Sequence, residues 1–291
     1  MSASFFGMSC RTILTMRRTL GFLVALVVAF ALASPAVAKT AVRSTQPAGR
    51  SNCRYAVAYP ADLKLAGPLG VAQSCPGVRP GAVLKIPSRD AQCTFNALFR
   101  GSDGAQYIGT AGHCINDEGV EKSWPSGKGP IAQDGSGKRI GEFAYAILKD
   151  PKDLALIRLD AGVKANPQMC HFGGPTGMAP NSAGLTLLDQ FGQGIGISSL
   201  APGRTQLATS LADPDRLDSL GLATPGDSGS LVNTSSGLAV GVLVTTGFAV
   251  GANSAGAPVL GNIGITRFGP QLARATEVTG VRYTLQTAPL L

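Results

Sequence analysis

Thr94-Phe95-Asn96-Ala97-Leu98-Phe99, Gly101-Ser102-Asp103-Gly104 and Gln106-Tyr107-Ile108-Gly109-Thr110 follow one another with almost no gap. The first run alternates along its length, the four residues between are turn formers, and the third run resumes a β-like pattern. Two short β-like runs around a glycine-bounded turn read as a β-hairpin. The hairpin leads straight into Ala111-Gly112-His113-Cys114. A histidine therefore follows directly on a strand, and that places the rest of the chain in question around it.

Downstream the same texture continues. Residues 154–159, 185–188, 194–198, 238–246 and 261–267 are further strand candidates, short and separated by glycine- and proline-rich pieces. Many short strands without alternating helices argue for a sandwich or barrels and against a βαβ fold. Residues 166–181 hold Pro167, Pro175 and Pro180 and read as a crossing between two β subdomains. Only residues 270–278 read as helical, with Leu272, Ala275 and Val278 at helical spacing and Gly280 as the stop.

Upstream the chain has a different character. Arg11, Arg17 and Arg18 precede an apolar run over residues 20–32, followed by Ser34-Pro35-Ala36-Val37-Ala38. A basic start, a short apolar core and a small-x-small ending form a secretion signal, so residues 1–38 are expected to be removed. The apolar core is short for a membrane anchor and no stop-transfer segment follows, so no stable anchor is expected. Residues 39–88 read as a linker with a possible pro-segment or N-terminal arm, broken by Pro60, Pro68, Pro76 and Pro80. The remainder, residues 89–291, divides into halves of about 89–165 and 182–285.

The formal charge is +8, from 25 basic and 17 acidic residues; losing Arg11, Arg17 and Arg18 leaves 22 against 17, or +5. No basic run interleaved with aromatics is present, so a nucleic-acid footprint is not expected. Cys10 leaves with the signal, and Cys53, Cys75, Cys93, Cys114 and Cys170 remain. Export permits disulfides, and none of the five has the Cys-x-x-Cys spacing of a zinc site. Cys53 and Cys75 are expected to pair with each other, or either one with Cys170.

Three segments carry chemistry: Thr110-Ala111-Gly112-His113-Cys114, Asp153-Leu154-Ala155-Leu156-Ile157 and Pro225-Gly226-Asp227-Ser228-Gly229-Ser230. A serine hydroxyl is a weak nucleophile and needs a base within hydrogen-bond reach. Histidine can accept that proton and return it. An acid at the start of a buried strand can be held dry and rigid against the ring. These segments resemble, in content and in order, the His, Asp and Ser motifs of the chymotrypsin/trypsin-like serine proteases, and the absence of an Ile-Val-Gly-Gly-like N-terminus resembles their bacterial secreted branch. The order and the final Ser230 disfavour the α/β-hydrolases, which run Ser, acid, His through Gly-x-Ser-x-Gly.

The resemblance covers roughly residues 90–285 and implies an all-β fold of two six-stranded antiparallel β-barrels with a short C-terminal helix. It implies a secreted, extracellular serine endopeptidase with His113, Asp153 and Ser228 as catalytic triad, and the backbone N–H groups of Gly226 and Ser228 as oxyanion hole. It implies a Cys93–Cys114 disulfide around the histidine strand, worth about 3 kcal/mol by loop closure. By the same resemblance Leu222 lies at the base of the primary pocket, with Thr246 and Gly247 pairing to substrate. An apolar or small side chain is then preferred at the cleavage site. No metal and no cofactor are expected, the partner is a polypeptide substrate, and the chain is expected to be a monomer. Asp227 needs a cation, and an arginine is the expected source. The alternative reading is a catalytically inactive homologue that binds peptides or proteins.

Overall fold

The computed structural model describes residues 75–180, 186–195, 198, 201–209, 214–252 and 258–291. All lie within the compact unit Arg50–Leu291. The expected secretion signal, most of the expected arm with Cys53, and residues 196–197 of the expected strand 194–198 lie outside them. Of that strand, Gly194 and Ile195 are irregular.

Eight strands come first: β1 (Val83–Ile86), β2 (Ala91–Thr94), β3 (Leu98–Gly101), β4 (Gln106–Thr110), β5 (Val120–Ser123), β6 (Ile131–Asp134), β7 (Arg139–Lys149) and β8 (Lys152–Leu159). After an irregular crossing come β9 (Gly177–Met178), β10 (Leu187–Phe191), β11 (Gly203–Ala208), β12 (Arg216–Leu220), β13 (Leu231–Thr234), β14 (Leu238–Ala252) and β15 (Pro258–Arg267). Helix α1 (Phe268–Thr279) and β16 (Tyr283–Leu285) close the chain. The hairpin read from the sequence is β3–β4, antiparallel with Phe99 opposite Tyr107. Asp103 shapes its turn by accepting the Ala105 N–H.

Two sheets result, antiparallel except where β9 runs parallel to β14 at the edge of the second. In the first, the order is β16-β3-β4-β8-β7-β6-β1-β2, with β5 on β7. Only Phe95, Asn96 and Ala97 separate β2 from β3. Phe95 exchanges backbone bonds with Gly81 and Ala82, while Asn96 and Ala97 bond Gly109. The bent segment therefore changes partner midway, and the path β1, β2/β3, β4, β8, β7, β6 curls back on itself as a barrel-like sheet. The second sheet closes as a ring of six, β13-β10-β11-β12-β15-β14, because β14 also pairs with β13. The all-β, two-barrel architecture with one C-terminal helix agrees with the fold that the motifs imply. The first sheet is larger than six strands, since it also takes in β5 and the returning β16.

Burial explains why these segments settle there. β8 pairs on both edges, with β4 and β7, and five successive residues from Asp153 to Ile157 are buried. Phe95, Phe99, Phe143 and Tyr145 are wholly buried in the core around it. Each fully buried large apolar side chain stabilises by about 1.5–3 kcal/mol. Helix α1 adds Phe268, Leu272 and Ala275 to that core, Phe268 meeting Phe99 edge-on at 5.7 Å. It stops at Gly280, whose N–H caps the Thr276 carbonyl.

Candidate active site

His113 sits in a single 3-10 turn, Gly112–Cys114, that follows β4 immediately. Asp153 is the second residue of β8, which pairs with β4 from Thr110 to Tyr107. Sheet register therefore brings the two side chains together from 40 residues apart. The ring Nδ1 lies 2.7 Å from Asp153 Oδ2, and the His113 backbone N–H donates to Oδ1 at 2.9 Å. An ionised carboxylate only accepts, so Nδ1 carries the proton and Nε2 of the neutral ring keeps a free lone pair. Asp153 is only 6% exposed, and its own N–H donates to Gln271 Oε1 of α1 at 2.7 Å. Gln271 is fixed in turn by donating to Thr266 Oγ1 and the Arg267 carbonyl.

Ser228 is on the turn between β12 and β13, and that turn docks on the hairpin that bears the histidine. Thr94 N–H donates to the Ser228 carbonyl at 2.8 Å. Gly229 packs so tightly that a Cβ would stand 2.3 Å from both Thr110 Oγ1 and the Thr94 carbonyl. Its φ of +91° and the +97° of Gly226 lie in the left-handed region, where a side chain is strained. The N–H groups of Asp227, Gly229 and Ser230 are bonded to Thr224, Leu243 and Asp227 carbonyls. Those of Gly226 and Ser228 have no acceptor among the described residues. Nor is a hydrogen bond formed between Ser228 Oγ and His113. The structure thus pairs His113 with Asp153 and seats Ser228 on the neighbouring turn.

Asp227, fully buried, anchors that turn from below. Arg204 Nη2 lies 2.8 Å from its Oδ1, as an ion pair without an aligned N–H. Gly194 N–H donates to Oδ1, and Thr224 N–H and Ser198 Oγ donate to Oδ2, each at 2.8 Å. Four partners thus meet the buried carboxylate, leaving neither oxygen without one. The expected arginine is therefore Arg204. Motif reading could not number it, yet the strand pattern held a signal. β11 alternates, with Arg204, Gln206 and Ala208 on its buried phase, and an arginine facing inward asks for an anion.

The remaining expected residues fall as follows. Leu222 is 38% exposed, beside Gly221, which is clasped by Asn262 through Nδ2 to the Gly221 carbonyl and Gly221 N–H to Oδ1. Thr246 is exposed, and Gly247 continues the same strand β14. β14 loses β13 after Val242 but still exchanges backbone bonds with Gly229 and Ser230 at Leu243. Only beyond Leu243 does the edge turned away from β15 lack a strand partner among the described residues. Cys93 and Cys114 form a disulfide that brackets His113. Their sulfurs lie close to the ring, but a disulfide offers no thiolate to a metal. Of the alternatives for Cys75, the pairing with Cys170 is made, closing a separation of 95 residues. His171 lies in the crossing, edge-on to Phe172 at 4.6 Å. No helix of the described residues is long and apolar enough to cross a membrane.

No family model matches the chain, and no curated protein matches it. Among solved structures, the chain is similar to the crystal structure of Nocardiopsis protease (NAPase) at 15% identity. That likeness covers 71% of this chain and 98% of the other, with a TM-score of 0.43.

Proposed function

We propose that the protein is a secreted serine endopeptidase acting through an acyl-enzyme on Ser228. The observation that carries this reading is the doubly bonded His113–Asp153 pair, fixed one disulfide away from the segment on which the Ser228 turn docks. His113 Nε2 takes the proton of Ser228 Oγ as the hydroxyl attacks the scissile carbonyl. Asp153 holds the ring in the needed tautomer and stabilises the imidazolium that forms. The unclaimed N–H groups of Gly226 and Ser228 receive the oxyanion, a contribution of about 3–4 kcal/mol per donor in the transition state. The same histidine then returns the proton to the leaving amine, and water repeats the cycle on the ester.

Arg204 supports a site assembled without a new N-terminal ammonium, since Asp227 already has its cation. An extended peptide would pair with the open edge of β14 near Thr246 and Gly247, presenting an apolar or small side chain towards Leu222. The two disulfides are compatible with an oxidising, extracellular setting. A polypeptide substrate, no metal or cofactor, and a monomer complete the reading.

A second reading, an inactive homologue that binds peptides, is favoured by the missing Ser228–His113 hydrogen bond. Catalytic hydrogen bonds are often long before substrate arrives, so the geometry of the free protein does not decide. Labelling with a fluorophosphonate does. Phosphonylation forms an Oγ–P bond, expels fluoride and passes the hydroxyl proton to the histidine. The parent is expected to label, with Ser228→Ala unlabelled and His113→Ala slowed by about 10⁴-fold or more. A folded parent that does not label would favour the binding reading, or a zymogen whose pro-segment still blocks the site.

A further inference from the structure

Thr94 has no place in the chemistry above, yet its hydrogen bonds converge on the parts that do. It is fully buried at the end of β2, next to the disulfide residue Cys93. Its N–H donates to the Ser228 carbonyl at 2.8 Å and its Oγ1 donates to the Gly226 carbonyl at 2.8 Å. The same Oγ1 accepts the Gln193 N–H at 3.1 Å, and its carbonyl accepts Thr110 Oγ1 at 2.9 Å. Gln193 reaches on through Nε2 to the Gly81 carbonyl of the N-terminal arm, at 3.0 Å. That arm is tied down by the Cys75–Cys170 bridge.

The arrangement matters because peptide units are rigid planes. Four successive planes run through the turn, 225–226, 226–227, 227–228 and 228–229. The first and third carry the Gly226 and Ser228 N–H groups that have no acceptor. The second and fourth carry the carbonyls that Thr94 holds. Fixing the second and fourth leaves the third, which lies between them, little freedom to rotate and restrains the first from one side. The Pro225 and Asp227 carbonyls of the first and third planes accept from Ile195 and Ser230, so both N–H groups stay turned to one side. Gly226 makes such a clamp necessary, since a glycine at positive φ can also adopt many other conformations.

We infer that Thr94 is a positioning residue that sets the oxyanion-binding geometry of the 226–228 turn through its hydroxyl, an inference that rests on the proposed acyl-transfer function. Valine at this position keeps shape and β preference but leaves the Gly226 carbonyl and Gln193 N–H without that partner. Serine keeps the hydroxyl. Loss of one oxyanion donor outright slows catalysis about 10²–10³-fold, and a loosened one costs less.

The test measures fluorophosphonate labelling rates and p-nitrophenyl acetate hydrolysis for the parent, Thr94→Val and Thr94→Ser, with the thermal midpoint of each. Thr94→Val is expected to label about 10–100-fold more slowly, to lose kcat with KM within about twofold, and to stay folded. Thr94→Ser is expected within about threefold of the parent. Should the valine variant not fold, Thr94→Ala carries the same expectation, with its labelling rate read per folded molecule. Parent-like labelling by folded Thr94→Val, or a serine variant as slow as valine, would overturn the inference while the proposed function stands. A parent that does not label would remove both.

Discussion

The two barrels build their halves of the candidate site from different mixtures of material, although the first also buries Thr94, Asn96, Asn116 and Glu142. The first has an interior dominated by apolar residues, with Phe95, Phe99, Phe143 and Tyr145 wholly buried among aliphatic neighbours. The second buries Asp189, Gln190, Gln206, Asp218, Ser219 and Asp227. Its separate apolar cluster is small, with Leu188, Leu217, Leu243, Ile263 and Ile265 its largest members. His113 and Asp153 need only be brought close, and strand register packed on a non-directional core achieves that. In the proposed mechanism the Ser228 turn must aim two N–H groups at one point. Directional hydrogen bonds and an ion pair set angles, which apolar contacts do not.

If that contrast is right, the second barrel should lose its site from a single polar change. Arg204→Met removes the cation from Asp227 and leaves a buried carboxylate without its ion-pair partner. Stranding one member of a buried pair costs about 3–5 kcal/mol, so the thermal midpoint should fall steeply. Labelling per folded molecule should fall with it, because the turn that Asp227 anchors is the one that bears Ser228. Full labelling in the residual folded fraction would show that the other donors to Asp227 hold the turn unaided.

In the first barrel, deletion should behave differently. Phe143→Ala opens a cavity between β7 and the neighbouring strands, with an expected loss of about 3–5 kcal/mol. The effect should be on the folded population alone. Labelling per folded molecule should match the parent, since His113 and Asp153 are joined by backbone and side-chain bonds that do not involve Phe143. A slowed rate in the folded fraction would mean that core packing also sets the angle of the base, and the contrast between the barrels would weaken.

The same contrast decides what could be read from the sequence. The β3–β4 hairpin, the strand after Asp153, β15 and α1 were all legible, because apolar periodicity and turn residues are local signals. The eleven-residue β7 was not, since its run of buried residues from Ile140 to Ile147, interrupted only at half-buried Ala144, carries no alternation. The His, Asp and Ser motifs were legible because each combines a reactive group with the glycines or strand that present it. Thr94 and Gln271 were not. A threonine in a strand and a glutamine in a helix have ordinary local roles, and only tertiary contact gives them another. The pairing of Cys75 with Cys170 likewise depended on where the arm and crossing meet.

A milder change probes the polar interior away from the turn. Gln206 Nε2 donates to Gln190 Oε1 at 3.0 Å, and Gln206 Oε1 accepts Ser219 Oγ at 2.8 Å. Gln206→Met keeps the length of the side chain but strands both neighbours, an expected loss of about 1–3 kcal/mol by denaturant titration. Labelling per folded molecule should persist, because none of the three residues bonds the Ser228 turn. If stability were unchanged, these amides would be incidental to the second barrel and its interior less dependent on polar order than Asp227 suggests.

The smallest effect is expected where the first barrel does use charge, at its surface. Arg274 of α1 donates to both oxygens of Glu121 on β5, and Tyr145 donates to Oε1 as well. The hydrogen bond from Arg274 is the main reason the Glu121 carboxyl is held below its usual range, although burial pushes the other way. A carboxylate depressed by folding stabilises above its unfolded pKa of about 4.3, and that stability is lost as pH falls through the lower folded value. Arg274→Gln should therefore lower the thermal midpoint by about 1–3 °C at pH 7, the size expected for a pair whose guanidinium is 36% exposed to solvent. The gap between variant and parent should narrow as the pH is lowered from neutrality through the depressed folded value of Glu121, below which it carries its proton in both. A gap of constant size across that range would mean that the guanidinium acts through its packing on β5 and not through its charge, leaving the first barrel apolar in its energetics to the surface.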